Sequence, residues 1–161
     1  MDFDKTFAPV ARLESIRILL AVACHLNFKL YQMDEKSAFL NGMLQEEVYV
    51  EQPKGFMDPN RPNDVYKLKR APYGLKQAPR AWYGKLTSYL IENDFKRGNV
   101  DSTLFIQRDK KHLVVVQVYV DDIFFGSTND TLAKSFANEM KKMFKMSMVD
   151  ELTYFLVLQV K

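Results

Sequence analysis

An α+β fold, a layer of strands backed by helices, is what this sequence predicts, and three observations carry the prediction. Short apolar runs with strand character recur along the chain, and segments with helical apolar spacing lie between them. Two tight reversals, around Arg108-Asp109-Lys110-Lys111 and at Asp121-Asp122, join strands so closely that they read as hairpins. Loose alternation of helices with such hairpins argues for a layered sandwich of sheet and helices. At 161 residues the chain suits one domain with a substantial core.

Leu13, Ile16, Leu19, Leu20 and Ala23 recur at helical spacing, so a helix is expected over Leu13 to His25. Phe28 to Met33 alternates apolar and polar residues and reads as a strand ending at Asp34. A short strand near Val48-Tyr49-Val50 precedes a loop rich in Pro, Gly and Asn from Gln52 to Asp64, and Val65 to Leu68 makes another strand. Pro79 suits the first turn of a helix, where a missing N–H does no harm. That helix carries Trp82, Leu86, Tyr89 and Leu90 inward and ends near Asn93. The two hairpins follow. Ser127, Thr128 and Asn129 supply caps for a helix from Asp130 to Phe144, and Leu152 to Val160 reads as a final strand.

Composition narrows the class of protein. The apolar fraction of 47% and charged fraction of 27% are those of an ordinary globular chain. Cys24 is the only cysteine, which excludes an internal disulfide and a cysteine-based zinc site. It falls on the apolar face of the first helix and is expected to pack there. His25 and His112 have no ligand-like spacing. Met1 to Lys5 lacks a signal-peptide profile, and no apolar run approaches the length of a membrane span, so an intracellular location is expected.

Asp121 and Asp122 end the run Leu113 to Val120 and are followed at once by Ile123-Phe124-Phe125. Two adjacent carboxylates between apolar strands repel each other and resist burial. A hard divalent cation relieves both effects. Because successive strand residues face opposite ways, the pair can serve one site only at a hairpin tip. For a bare Asp-Asp taken alone, a plain surface turn is the better account. Asp34, at the end of another strand, could complete a three-carboxylate cage able to hold two Mg²⁺ ions roughly 3.5–4 Å apart.

Between Tyr66 and Arg97 stand eight basic residues, Lys67, Lys69, Arg70, Lys76, Arg80, Lys85, Lys96 and Arg97, against Glu92 and Asp94, a net of +6 by that count. Tyr66, Tyr73, Trp82, Tyr83 and Tyr89 are interleaved with them. Such a stripe is the footprint of phosphate-backbone binding with rings able to stack on bases. A solvated helix face whose aromatics belong to the core explains it as well.

These residues together carry a family resemblance. Gln32-Met33-Asp34 with Lys36-Ser37-Ala38-Phe39-Leu40-Asn41-Gly42 resembles the first polymerase motif of copia-type LTR retrotransposons. Tyr73-Gly74-Leu75-Lys76-Gln77-Ala78-Pro79-Arg80-Ala81-Trp82-Tyr83 resembles their template- and nucleotide-contacting motif. Val118-Tyr119-Val120-Asp121-Asp122-Ile123 is similar to their Tyr-Val-Asp-Asp box, and Tyr154-Phe155-Leu156 with Leu158-Gln159-Val160 to their primer-grip region. Phe7 to Arg12 and Glu46 to Pro53 match as well. Over nearly its whole length, in order and at the family's spacing, the chain resembles the reverse transcriptase domain of copia-type Pol polyproteins.

The resemblance implies a right-hand polymerase palm, an antiparallel sheet backed by helices, with part of the fingers and without the thumb: a single partial domain over residues 1–161. It implies an RNA-directed DNA polymerase in which Asp34 and Asp121 ligate catalytic Mg²⁺ (or Mn²⁺) and Asp122 is the supporting carboxylate. Nucleotide binding falls to Ser37, Ala38, Phe39, Tyr73 and Gly74, with Phe39 as the gate that excludes a 2′-hydroxyl. Template and primer fall to Lys76, Gln77, Pro79, Arg80, Phe155 and Leu156. The implied partners are a primed RNA or DNA template and deoxynucleoside triphosphates. In a full polyprotein, integrase and RNase H domains flank the chain, within a cytoplasmic virus-like particle if the element is active.

Several features depart from the family pattern. The chain begins after the basic fingers segment and ends in the primer grip, so the isolated chain is expected to extend primers very weakly or not at all. Pro72 stands where Leu is usual and is expected to distort the loop before Gly74. Val157 stands where Gly is usual, and Glu35 adds charge beside Asp34. A catalytically dead remnant that keeps the fold and binds nucleic acid non-specifically is the alternative. A metal-dependent nuclease or phosphatase fits less well, since no histidine stands beside the aspartates and Phe39 lies five residues past Asp34.

Overall fold

Leu13–His25 forms helix α1, and the spacing that predicts it also selects the buried face: Ile16, Leu19 and Ala23 point inward. The computed structural model describes residues 7–109, 111–155 and 158–160. After α1 come strand β1 (Leu30–Glu35), the one-turn helix α2 (Ala38–Asn41), β2 (Tyr49–Glu51), β3 (Val65–Lys67), helix α3 (Ala78–Glu92) and β4 (Lys96–Arg97). The chain continues through β5 (Leu104–Asp109), β6 (His112–Tyr119), β7 (Asp122–Ser127), helix α4 (Asp130–Met143), β8 (Met146–Glu151) and the pair β9 (Tyr154–Phe155) and β10 (Leu158–Gln159).

Six strands form one antiparallel sheet in the order β4-β5-β6-β7-β1-β8. Alternation along each strand sends residues to two faces, and both are covered. On one face Leu30, Val115 and Phe124 meet Ile16, Leu19 and Ala23 of α1. On the other, Met33, Val116, Val118, Ile123 and Phe125 meet Trp82, Leu86 and Leu90 of α3 and Phe136 and Met140 of α4. Val114 to Val118 of β6 are buried without a break, as a strand sandwiched between helix layers requires. Asn129 caps α4, its side chain accepting from the Thr131 N–H at 2.9 Å.

Differences from the expected layout have local causes. The last strand does not run from Leu152 to Val160: β8 ends at Glu151, and Tyr154–Phe155 pairs with Leu158–Gln159 in a separate ribbon. Met146 and Ser147 have little intrinsic strand signal, and pairing with β1 decides their conformation. Leu156 and Val157 lie outside the described residues; Phe155 pairs with Leu158. Cys24 is exposed instead of packed, because Ile16, Leu19 and Ala23 define a stripe that leaves it out. All six residues of β2 and β3 are exposed, so this ribbon stands away from the core. Among the described residues, no helix is long and apolar enough to cross a membrane.

Candidate active site

The register of three strands assembles the acidic end of the sheet. Asp34 of β1 lies opposite Asp122 of β7, and Tyr119 of β6 lies opposite Asp122 on its other side. Residues directly opposite share a face, with Cβ atoms about 4.5–5.5 Å apart. Asp34 and Asp122 are therefore neighbours, and Asp121 stands beside them in the two-residue turn Val120-Asp121. The Gln32 amide, on the same face two residues before Asp34, donates to Asp122 Oδ1 at 2.8 Å. Ser147 of β8 donates its hydroxyl to the Asp34 carbonyl at 3.1 Å.

Burial pushes the Asp122 carboxyl above the ordinary range; Gln32 opposes the shift, and the charges of Asp121 and Asp34 add to it. Among the described residues, no three acidic, histidine or cysteine side chains are gathered into a closed metal-holding group. Three mutually repelling acids stand at the sheet end without the convergence that the cage reading expects. The donor set still fits magnesium, which takes one or two protein carboxylates and completes its shell with water and phosphate.

This electrostatic arrangement predicts a pH-dependent gain for Asp122→Asn. With its folded pKa raised, Asp122 favours the fold in its protonated form. That contribution is whole below the ordinary carboxylate pKa and is lost as pH rises through the raised value. Asparagine keeps an acceptor for Gln32 without the charge. The variant is expected to melt at a higher temperature than wild type at neutral pH. In acid the two proteins should melt together, which calorimetry across the pH range checks.

The turn itself is strained. Val120 has φ of +58°, a region a β-branched residue rarely enters. The indole N–H of Trp82 on α3 donates to the Val120 carbonyl at 3.0 Å, fixing the turn from below.

The second expected motif also reaches this place. Pro72 opens a turn in which the Leu75 N–H donates to the Pro72 carbonyl at 3.3 Å, and Gly74 has φ of +89°. Glycine suits the third position of such a turn because φ is positive there. The bond that closes this turn uses the Pro72 carbonyl and not the donor that proline lacks. A Cβ on Gly74 would meet nothing within 4 Å, so conformation, not crowding by the protein, calls for glycine. Tyr73 packs its ring 4.5 Å from that of Phe39 and donates its hydroxyl to the Lys36 carbonyl at 3.3 Å. Burial raises the Tyr73 pKa, and Asp121, Asp34 and Glu35 raise it further, in that order. Tyr73 thus joins the loop to Lys36 and to the helix that carries Phe39.

Phe39 is half-buried on α2, whereas Ala38 is fully buried. Gly42, just after α2, is required by close approach: a Cβ there would stand 2.6 Å from the Ala81 backbone. The Ser37 N–H, expected to face a triphosphate, already donates to Glu35 Oε1 at 3.2 Å. Glu35 adds charge next to Asp34, but it is not at the surface. Alternation turns it to the opposite face, where it is fully buried; burial raises its pKa, and the charge of Asp34 helps to raise it.

All eight cations of the basic segment are exposed. Its rings divide: Trp82 and Tyr83 belong to the core, Tyr89 packs against it, and Tyr66 and Tyr73 are exposed. Lys76 and Arg80 reach solvent, and Arg80 donates to the Phe7 carbonyl at 2.9 Å. Gln77 is the residue before α3, and Pro79 lies in its first turn. Gln32, Trp82 and Ser147 support the acidic end in ways the sequence reading missed; for Gln32 the signal was its two-residue spacing from Asp34.

A family described as reverse transcriptase (RNA-dependent DNA polymerase) matches residues 1–161. The chain is 42% identical over 161 residues to the retrovirus-related Pol polyprotein from transposon RE1 of Arabidopsis thaliana, covering 100% of this chain and 11% of that protein. With the corresponding polyprotein from RE2 of the same plant it is 40% identical over the same 161 residues, again 100% of this chain and 11% of that protein. With that from TNT 1-94 of Nicotiana tabacum it is 36% identical over 147 residues, 91% of this chain and 11% of that protein. No solved structure matches it.

Proposed function

The chain belongs to the reverse transcriptase (RNA-dependent DNA polymerase) family, and we propose from that premise that it carries the nucleotidyl-transfer centre of a copia-type retrotransposon Pol polyprotein. The observation that supports this most is the register that sets Asp34 opposite Asp122 beside the turn bearing Asp121. In this reading the six-stranded sheet is the palm, the β2–β3 ribbon belongs to the fingers, and residues 1–161 are one partial domain.

Asp34 and Asp121 hold divalent ions, Mg²⁺ or Mn²⁺, with Asp122 in support. When bound, such ions acidify a primer 3′-hydroxyl and neutralise charge on departing pyrophosphate. Gln32 keeps Asp122 aimed along the sheet end. Phe39, backed by Tyr73, lies below the sugar and excludes a 2′-hydroxyl. The open space at Gly74 admits substrate close to the backbone. Lys76, Gln77, Pro79 and Arg80 meet the template strand, the two cations through its phosphates. Phe155 and Leu156 belong to the primer side. The partners are a primed template, deoxynucleoside triphosphates and, in the full polyprotein, integrase and RNase H domains.

A chimera tests the reading: this chain replaces the matching 161 residues of the RE1 polyprotein. It is expected to extend oligo(dT) on poly(rA) with dTTP, only in the presence of Mg²⁺ or Mn²⁺. Extension that persists in excess chelator, or no extension when the parent polyprotein is active, contradicts it.

A further inference from the structure

We infer that Glu35 is a positioning residue of the nucleotide site, holding the turn from Ser37 to Asn41 and thereby the Phe39 ring where it selects the sugar; this rests on the polymerase reading. Glu35 is fully buried. One oxygen of its carboxylate, Oε1, accepts from the Ser37 N–H at 3.2 Å and from the Asn41 amide at 3.3 Å. The same Asn41 amide donates to the Ser37 carbonyl at 3.2 Å. One acceptor therefore ties both ends of the turn that contains Phe39. This single turn is too short to hold its own shape, and its N-cap residue, Ser37, makes no side-chain cap hydrogen bond.

Other contacts meet the turn from different sides. Gly42 lies against the α3 backbone, and the Tyr73 ring lies on Phe39. Neither ties Ser37 to Asn41. Glu35 also cannot join Asp34 as a ligand, because adjacent strand residues face opposite sides of the sheet. Its other oxygen, Oε2, is buried and has no hydrogen-bond partner among the described residues. A residue selected only for burial would not carry an unpartnered oxygen, whose desolvation is costly. The two bonds on Oε1 are what the carboxylate contributes.

The test compares Glu35→Val, which removes the acceptor, with Glu35→Gln, which keeps Oε1, in the 161-residue chain. Hydrogen exchange at the Ser37 amide is expected to quicken about tenfold in the valine variant and to stay near wild type in the glutamine variant. Primer extension by the RE1 chimera in Mg²⁺ with dTTP and with 5-methyl-UTP, which differ only at the 2′ position, reads the sugar preference. The wild-type preference for dTTP is expected to shrink about three- to tenfold in Glu35→Val and to be kept in Glu35→Gln. A preference unchanged in Glu35→Val, or lost equally in both variants, overturns the inference alone. A wild-type chimera that uses neither triphosphate overturns the polymerase reading and this inference with it.

Discussion

Trp82→Ala is expected to lower the unfolding free energy by about 3–5 kcal/mol, a large part of what a domain of this size possesses. The ring is fully buried, edge-on to Phe144 at 5.2 Å, in the layer between α3 and the sheet. Alanine leaves a cavity in that layer, and partial relaxation of its walls leaves most of the cost standing. It also removes the indole donor from the Val120 carbonyl, releasing a turn already held at unfavourable φ. Trp82→Phe separates the two losses: it keeps most of the apolar area and drops only the donor, and should cost about 1–3 kcal/mol. Urea denaturation measures both. A loss under about 1 kcal/mol for the alanine variant would mean that Trp82 is not the link between helix layer and acidic turn.

Asp121→Asn and Asp34→Asn are each expected to reduce primer extension by the chimera about a thousandfold or more, the effect of roughly 4 kcal/mol on the barrier. Neither residue supports the core, so folding should survive. Circular dichroism checks that point. The expected signature is an activity lost without a change of fold, the reverse of Trp82→Ala. Asn in place of Asp preserves size and removes one full charge from a group of three. If extension by Asp121→Asn falls less than about tenfold, a difference of roughly 1.4 kcal/mol, the charge at that turn is not what the reaction uses.

Legibility of the fold followed the strength of local patterns. Helix α1 emerged at its observed bounds because its apolar stripe has an unbroken helical period. The β6–β7 hairpin emerged because two strongly apolar runs leave room for only a two-residue turn. Strand β8 did not, since methionine and serine take strand conformation there through pairing with β1. Asp34 and Asp122 could each be placed at a strand end from sequence, but their pairing depends on a register that only the folded sheet fixes. The burial of Glu35 was hidden for a related reason. Its place beside Asp34 in sequence showed only an added charge, whereas period-two alternation sends it to the opposite face, where it is buried. The basic segment resolved into two parts because charge follows exposure while ring burial follows the helix face.

The most direct test of the acidic centre is Mn²⁺ binding to the 161-residue chain, followed by water-proton relaxation in wild type, Asp34→Asn, Asp121→Asn and the double variant. Wild type should bind the ion, each single variant should bind it at least about tenfold more weakly, and the double variant should show no specific binding. Equal affinity in wild type and the double variant would contradict a metal centre formed by the register of β1 and β7.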